Sequence, residues 1–253
     1  MEKLRKPFFA GSFYPEEKED LELFTDSLLL KSPYIGEKGV KGVIVPHAGY
    51  RYSGDISALA FRQLEKYQEK LMRIFIIAPC HKEDIEVSIP DYTHYNTPLG
   101  NIEIDQEIIQ ELPFEKRTSP HEKEHAVEVQ IPFLQKIIKD FKIIPILVNT
   151  KNTNYVTSIL KKYYKQDDIL FVFSADLSHF LEEQEARQID KNSIEIICGQ
   201  NLKKSDRIVS CGESVIKIAL ELANKIKFIS YTNSSEKGGA KDSVVGYASF
   251  LLF

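Results

Sequence analysis

Short apolar runs bounded by turn-forming residues recur along the chain and predict strands that are buried on both faces. The runs are rich in β-branched and aromatic residues, which favour strands. Because their apolar character is continuous, we expect both faces of the sheet to be covered. The predicted strands are residues 43–45, 74–78, 143–148, 169–174, 228–231 and 244–253.

Segments with helical spacing of apolar residues lie between these runs. The alternation of strands and helices is typical of an α/β fold and predicts a mixed central sheet flanked by helices. Residues 85–90 and 92–104 are instead predicted to form additional strands at one edge of the sheet. The predicted helices are residues 53–67, 126–141, 154–165, 182–202 and 213–226.

Composition supports one globular domain. Of the 253 residues, 43% are hydrophobic and 28% are charged, which is ordinary for a soluble chain with a large core. The chain has no Pro/Gly/Ser-rich linker, low-complexity tract or internal repeat. We therefore predict a single domain over residues 1–253.

Charge and cysteine content narrow the function classes. A net charge of -4 argues against a nucleic-acid partner, which needs a basic face. No apolar run approaches the ~20 residues that span a bilayer, and the acidic N-terminal stretch is no signal peptide. Three cysteines without CxxC spacing fit reduced thiols, so we predict a cytoplasmic protein.

Three of the six histidines directly follow predicted buried strands: His47, His81 and His179. Ligands of open α/β sheets bind at the carboxyl ends of the strands, where these imidazoles would converge if the strands are parallel neighbours. Imidazole suits zinc, copper and iron. A histidine at a strand end is also often a hydrogen-bonded loop residue, and the spacing alone does not decide between these readings.

Asp176 lies three residues before His179. A carboxylate at this distance fits two roles. It accepts a hydrogen bond that orients the imidazole ring, or it caps the following turn. The sequence leaves both interpretations open.

A second cluster of histidines and acids precedes a predicted helix. His125 and Glu128 are three residues apart, so a helix that begins near His125 projects both from one face. Glu122 and Glu124 fit the acids that complement a helix dipole. We expect His121 to lie in solvent.

Six motifs resemble those of one known family and occur in its order: RKPFFAGSFYP, VIVPHAGYRYSG, IIAPCHK, EHAVEVQIPFL, FSADLSHF and SVVGYASFLLF. They resemble the Memo family, whose prokaryotic members are called AmmeMemoRadiSam system protein B. The resemblance covers nearly the whole chain. It implies an α/β domain similar to class III extradiol ring-cleavage dioxygenases, which use non-haem Fe(II), with a metal pocket at one edge of the sheet.

The resemblance also implies roles for residues of the pocket. It assigns the metal to His47, His81 and His179, and places Asp176 and His125 beside them as catalytic residues. Ring-cleaving relatives use a histidine to take a proton from a phenol. His125 or His179 is the counterpart, because a pKa near ~6.5 suits proton transfer in either direction.

Three further residues are predicted to contact the substrate. Arg51 and Tyr52 follow His47 closely enough to reach the mouth of the pocket. There the Arg51 guanidinium would form a bidentate ion pair with a carboxylate of the substrate. Glu128 is the third, because it shares a helix face with His125. The expected ligand is a small molecule or a peptide.

The sequence does not decide which residue supplies the third metal ligand. Animal Memo proteins supply a cysteine before the last strand, and our alignment places Lys237 there. A protonated lysine cannot bind a cation. The adjacent Glu236 is the alternative, since ring-cleaving enzymes use a glutamate. Cys80 is expected to pack in the core, because it points away from its neighbour His81 on an extended segment.

Three functions are consistent with the resemblance. The first is a non-haem metal enzyme, with Fe(II) as the expected ion and copper or zinc as alternatives. The second is a non-catalytic metal- or peptide-binding module, since fold alone does not carry function. The third is a component of a modification system with AMMECR1-like and radical SAM proteins.

Overall fold

A computed structural model describes residues 2–253, and its strands form two sheets. The strands are β1 (Leu4–Arg5), β2 (Gly42–Val45), β3 (Leu71–Ala78), β4 (Val87–Ile89), β5 (His94–Thr97), β6 (Gly100–Glu103), β7 (Glu115–Lys116), β8 (Asp140–Val148), β9 (Ile169–Ser174), β10 (His179–Leu181), β11 (Ile226–Asn233) and β12 (Val244–Leu252).

Helices cover the faces of the larger sheet. The α-helices are α1 (Lys18–Lys31), α2 (Tyr50–Phe61), α3 (Gln106–Glu111), α4 (Ser119–Glu122), α5 (His125–Glu128), α6 (Ile131–Ile137), α7 (Thr153–Tyr164), α8 (Glu183–Cys198) and α9 (Glu213–Leu222). Short 3-10 helices span Arg62–Tyr67, Leu202–Arg207 and Ser234–Lys237.

The larger sheet has the strand order β10-β12-β2-β9-β3-β8-β4-β7, and β11 pairs with β12. Strands β2, β9, β3 and β8 are parallel to one another, whereas β12 runs antiparallel to β2. Every residue of β9 is buried, which explains its continuous apolar sequence. Because β2, β9 and β3 are parallel neighbours, their carboxyl ends lie side by side.

The predicted fold class is confirmed: a mixed sheet flanked by helices forms an α/β structure. The closer likeness to extradiol dioxygenases stays a prediction. No helix within residues 2–253 is both long and apolar enough to cross a bilayer.

Two parts of the predicted fold are wrong in detail. The helix expected over 126–141 is split into α5 and α6, and residue 140 already begins β8. Pro132 lies in the first turn of α6, where its missing N–H costs no helical hydrogen bond. The additional strands predicted at the sheet edge are divided between the two sheets. Strand β4 joins the larger sheet beside β8, whereas the β5–β6 hairpin pairs with β1 in a second sheet.

Helix α1 was not predicted from the sequence. Leu21 and Leu29 face the core, but Leu23 and Leu30 are exposed to solvent. Apolar residues therefore occur on both faces of this helix, and they form no single stripe that a periodicity search would detect.

Candidate metal centre

Two of the predicted histidines lie together at the carboxyl edge of the larger sheet. His47 follows the end of β2, and His81 follows the end of β3. Strand β9 lies between β2 and β3 in the sheet. The centroids of the two imidazole rings are 5.1 Å apart. The structure thus brings both side chains into one small volume.

Cys211 adds a sulfur atom to this pair of histidines. Its Sγ lies 3.2 Å from Nε2 of His47. One donor atom from each of His47, His81 and Cys211 lies within 4.8 Å of the other two. Such a set of two imidazoles and a thiol can hold a transition-metal ion.

A close approach of the backbone places Cys211. The next residue, Gly212, passes so near the end of β9 that a Cβ atom there would lie 2.7 Å from Cβ of Ala175. Only glycine fits at this distance. Our sequence reasoning missed Cys211, and the adjoining glycine at the start of α9 is the signal that points to a tight approach.

Hydrogen bonds assign the tautomer of His47. The hydroxyl of Ser174 donates its only proton to the carbonyl of Ala126, at 2.7 Å. Ser174 Oγ then accepts from Nε2 of Gln130 at 2.9 Å and from Nδ1 of His47 at 3.0 Å. Nδ1 of His47 therefore carries the proton. The lone pair of Nε2 is left facing Cys211, as a metal ligand requires.

The protonation states of His47 and Cys211 argue against a role for Cys211 as a nucleophile. Burial, reinforced by His125 and His81, lowers the pKa of His47 well below its usual value. Burial and the nearby Asp176 raise the pKa of the Cys211 thiol. A neutral imidazole beside a neutral thiol is the opposite of the ion pair that activates catalytic cysteines. A metal ion would displace the thiol proton on binding.

Glu124 orients two of the imidazoles. Its Oε1 lies 3.0 Å from Nδ1 of His81 and 3.1 Å from Nδ1 of His125. Its Oε2 accepts the backbone N–H of His81 at 2.7 Å. Burial opposes ionisation, but the hydrogen bonds from both histidines outweigh it and lower the pKa of Glu124. Oε1 also caps α5 through Ala126 N–H, which agrees with the predicted place of Glu124 at a helix start.

His125 lies in the first turn of α5, as predicted, beside His47 and His81. Its ring centroid is 5.2 Å from that of His47 and 4.7 Å from that of His81. The rings of Phe9 and Phe13 pack against it at 5.4 and 4.8 Å. The two phenylalanine rings of the N-terminal segment thus hold His125 beside His47 and His81.

Asp176 is buried next to the same centre. Its Oδ1 accepts the backbone N–H of His47 at 2.8 Å, and its Oδ2 lies 3.9 Å from Nε2 of that ring. Burial raises the pKa of Asp176. Asp176 therefore fixes the backbone of His47, and the two roles that the sequence left open, orientation of an imidazole ring and a cap of the following turn, stay predictions.

His179 is not one of the donors grouped with the sulfur atom. It begins β10, and its Nδ1 lies 2.8 Å from the carbonyl of Leu177. Neither group of donor atoms that could hold a metal within residues 2–253 includes His179. The structure groups His47 and His81 with Cys211 instead.

Arg51 and Tyr52 occupy the first turn of α2. The Arg51 guanidinium is 5.8 Å from the centroid of the Tyr52 ring, and Arg51 is exposed. Arg51 also lines a surface cavity of about 230 Å³ together with Phe13 and Tyr50. A contact of Arg51 and Tyr52 with a substrate stays a prediction.

The predicted substrate contact of Glu128 is wrong. Its side chain is fully buried and forms an ion pair with Arg5. Its Oε1 accepts the backbone N–H of Phe9 at 2.9 Å and the hydroxyl of Tyr14. Both carboxylate oxygens are therefore engaged inside the protein, where Glu128 anchors the N-terminal segment.

The residues considered for the third ligand lie elsewhere. The Lys237 ammonium pairs with Asp55. Glu236 is held by Arg187 at 2.6 Å and Thr232 at 2.5 Å. Cys80 is buried, and both its backbone N–H and its carbonyl are bonded to the side chain of Asn149.

The expectation that His121 lies in solvent is wrong, because its side chain is fully buried. Nε2 lies 3.3 Å from Oγ of Ser88, and Nδ1 lies 3.3 Å from the hydroxyl of Tyr95. Burial lowers the pKa of His121 to about 3. The ring is therefore neutral in the folded protein at neutral pH.

This shift predicts a loss of stability in acid. In the unfolded chain His121 binds a proton near pH ~6.5, whereas the folded protein resists protonation down to about pH 3. The contribution is complete above pH ~6.5 and declines as the pH falls. We expect His121 alone to lower the free energy of unfolding by about 2 kcal/mol between pH 7 and pH 5.

Urea denaturation of the wild type and of His121→Gln at both pH values measures this effect. The variant will be less stable at pH 7, but its further loss at pH 5 should be smaller than that of the wild type by about 2 kcal/mol. Equal losses in the two proteins would contradict the prediction.

Comparison with known proteins supports the family resemblance. The model of the family described as Memo-like protein matches residues 5–251. A MEMO1 family protein of Methanobrevibacter smithii is 33% identical, over 98% of this chain and 99% of its own length. A MEMO1 family protein of Aquifex aeolicus is 29% identical, over 99% of both chains. The protein memo-1 homolog of Caenorhabditis elegans is 30% identical, over 100% of this chain and 83% of its own.

Proposed function

We propose that this protein, which belongs to the Memo family, binds a transition-metal ion through His47, His81 and Cys211. The observation that carries the proposal is the 3.2 Å approach of Cys211 Sγ to Nε2 of His47. That nitrogen has a free lone pair, because Nδ1 donates to Ser174. This nitrogen can therefore bind an ion without first losing a proton.

The chemistry of the donors favours copper or zinc. Thiolate sulfur selects Cu(I) and zinc, and imidazole suits zinc, copper and iron. The Fe(II) expected from the resemblance is typically held by histidines and a carboxylate, without sulfur. We therefore rank copper and zinc above Fe(II) for the set that contains Cys211.

The surroundings suit a reaction of a small molecule. Three protein ligands leave a position open, at which a bound ion would polarise a substrate or exchange an electron with it. His125 holds Nδ1 against Glu124, which leaves Nε2 to accept or donate a proton. Phe9 and Phe13 pack on that ring and limit the access of water.

Metal analysis tests the proposal. Protein purified without oxygen is loaded with Co(II), dialysed and analysed for bound metal and for the charge-transfer absorption of a cobalt–thiolate bond. We expect at least one bound ion per chain and this absorption. Protein that retains no Co(II), or retains it without the sulfur band, would refute the assignment of Cys211.

His125→Ala tests proton transfer without removing a ligand from the set that contains Cys211. We expect the variant to keep the ion bound at Cys211, because His125 is not in that ligand set. Turnover should slow by ~10²–10⁴-fold, the usual contribution of a general acid or base. Oxygen uptake with a panel of catechols and hydroxy acids measures it. Unchanged turnover would remove His125 from the mechanism, and wild-type protein that holds metal without any turnover would favour the non-catalytic binding module.

The modification system stays a prediction of the family resemblance. Co-purification of tagged protein with AMMECR1-like and radical SAM proteins is the direct test. A peptide ligand likewise has no support beyond the resemblance.

A further inference from the structure

A second group of potential metal ligands lies next to the first. It consists of His81, Glu124 and His125, whose donor atoms lie within 4.8 Å of one another. Oε1 of Glu124 lies 3.0 Å from Nδ1 of His81 and 3.1 Å from Nδ1 of His125. Donors around a tetrahedral ion with bonds of ~2.0–2.1 Å are about 3.4 Å apart. The group therefore needs little adjustment to enclose an ion.

We propose that His81, Glu124 and His125 form a second metal site, which takes a divalent ion such as Fe(II) or Zn(II). Two imidazoles and one carboxylate are a donor set that suits these ions, in contrast to the sulfur-containing set. The inference deepens the proposed metal-binding function and rests on it only through His81, which both sets share.

The hydrogen bonds of the two imidazoles are the only side-chain interactions that stabilise the buried charge of Glu124 within residues 2–253. Its side chain is only 1% exposed, and within residues 2–253 its only ion-pair partners are the two imidazoles. The nearest guanidinium, that of Arg5, donates to the backbone carbonyl of Glu124 and forms its ion pair with Glu128. A buried carboxylate is costly without a compensating positive charge. A divalent ion between the imidazoles would supply that charge.

The geometry allows both sites to use His81. Its Nδ1 faces Glu124, which leaves Nε2 for the set with Cys211. When both sites are filled, His81 would bridge the two ions as an imidazolate, and its ring proton would be released on binding. The side chains of His81 and His125 are 28% and 17% exposed, so an ion can reach the group from solvent. The carboxylate is fixed, because Oε2 accepts the backbone N–H of His81.

Counting bound Zn(II) after dialysis distinguishes the two sites. We expect about two ions per wild-type chain and about one in Cys211→Ser and in Glu124→Gln. The controls Cys198→Ser and Glu122→Gln lie outside both sets and should keep two ions. Because Glu124→Gln also alters the cap of α5, His125→Phe is a second variant, whose ring suits the contacts with Phe9 and Phe13.

Co(II) adds a readout that depends on one site alone. At saturating Co(II), Glu124→Gln and His125→Phe should retain the cobalt–thiolate absorption while they lose one ion. If Glu124→Gln and His125→Phe both bind as many ions as the wild type, the second site is refuted, because phenylalanine offers no donor atom to an ion. If the wild type holds a single ion, the second site is also refuted. Unchanged binding in Cys211→Ser would instead refute the proposed sulfur site.

Discussion

Substitution of Cys211 by serine is expected to abolish tight binding of a soft metal ion. The sulfur lies 3.2 Å from Nε2 of His47 and supplies the only thiol of this donor set. Groups that merely orient metal ligands contribute ~10–100-fold in affinity. Loss of a ligand should cost more, so we expect the affinity for Cu(I) to fall by more than ~100-fold.

Competition with a chromophoric Cu(I) chelator measures this affinity. Cys198→Ser is the matched control, since Cys198 lies at the end of α8 and outside both groups of donors. His47→Ala should behave like Cys211→Ser, because it removes the neighbouring ligand. If Cys211→Ser binds Cu(I) as tightly as Cys198→Ser, the sulfur is not a ligand.

Substitution of Arg5 by methionine should cause the largest loss of stability. Arg5 and Glu128 form a fully buried ion pair, and methionine leaves the carboxylate without its cation. Breaking such a pair from one side costs about 3–5 kcal/mol. Arg5 also donates to the carbonyls of His121 and Glu124, at 3.2 and 2.9 Å. The variant should therefore loosen the segment that carries Glu124 and His125.

A double-mutant cycle isolates the ion pair. Arg5→Met, Glu128→Gln and the double variant are compared with the wild type by urea denaturation. The double variant should lose less stability than the two single losses added together, because neither charge is then left unpaired. Lys139→Met breaks the exposed pair with Glu69 and should cost less than about 1 kcal/mol. A loss of this small size in Arg5→Met would show that the buried pair does not stabilise the fold.

The central sheet was readable from the sequence because its strands are buried on both faces. Strand β9 shows this most clearly, since burial of all its residues requires an unbroken apolar run. Helix α1 could not be predicted, because Leu23 and Leu30 are exposed to solvent whereas Leu21 and Leu29 are buried in the core. A local pattern reports burial only where one face of an element is consistently covered.

The candidate site could likewise be predicted from the sequence only in part. The strand-end positions of His47 and His81 can be read along the chain, because residues after parallel strands meet at one edge of the sheet. Cys211 precedes a helix, and only the close packing of Gly212 on β9 brings it to His47. The sequence also could not separate the acid that faces the histidines, Glu124, from the acid inside the core, Glu128.

The sequence by itself thus determined the buried strands, the α/β class and the strand-end positions of two histidines, since these depend on the local apolar pattern. Tertiary structure alone decided the sulfur donor, the tautomer of His47 and the partners of each buried carboxylate. These depend on contacts between residues far apart in the chain, such as Arg5 with Glu128 and His47 with Cys211. Such pairs are selected by distance and burial in the folded protein, and spacing along the chain carries no record of either.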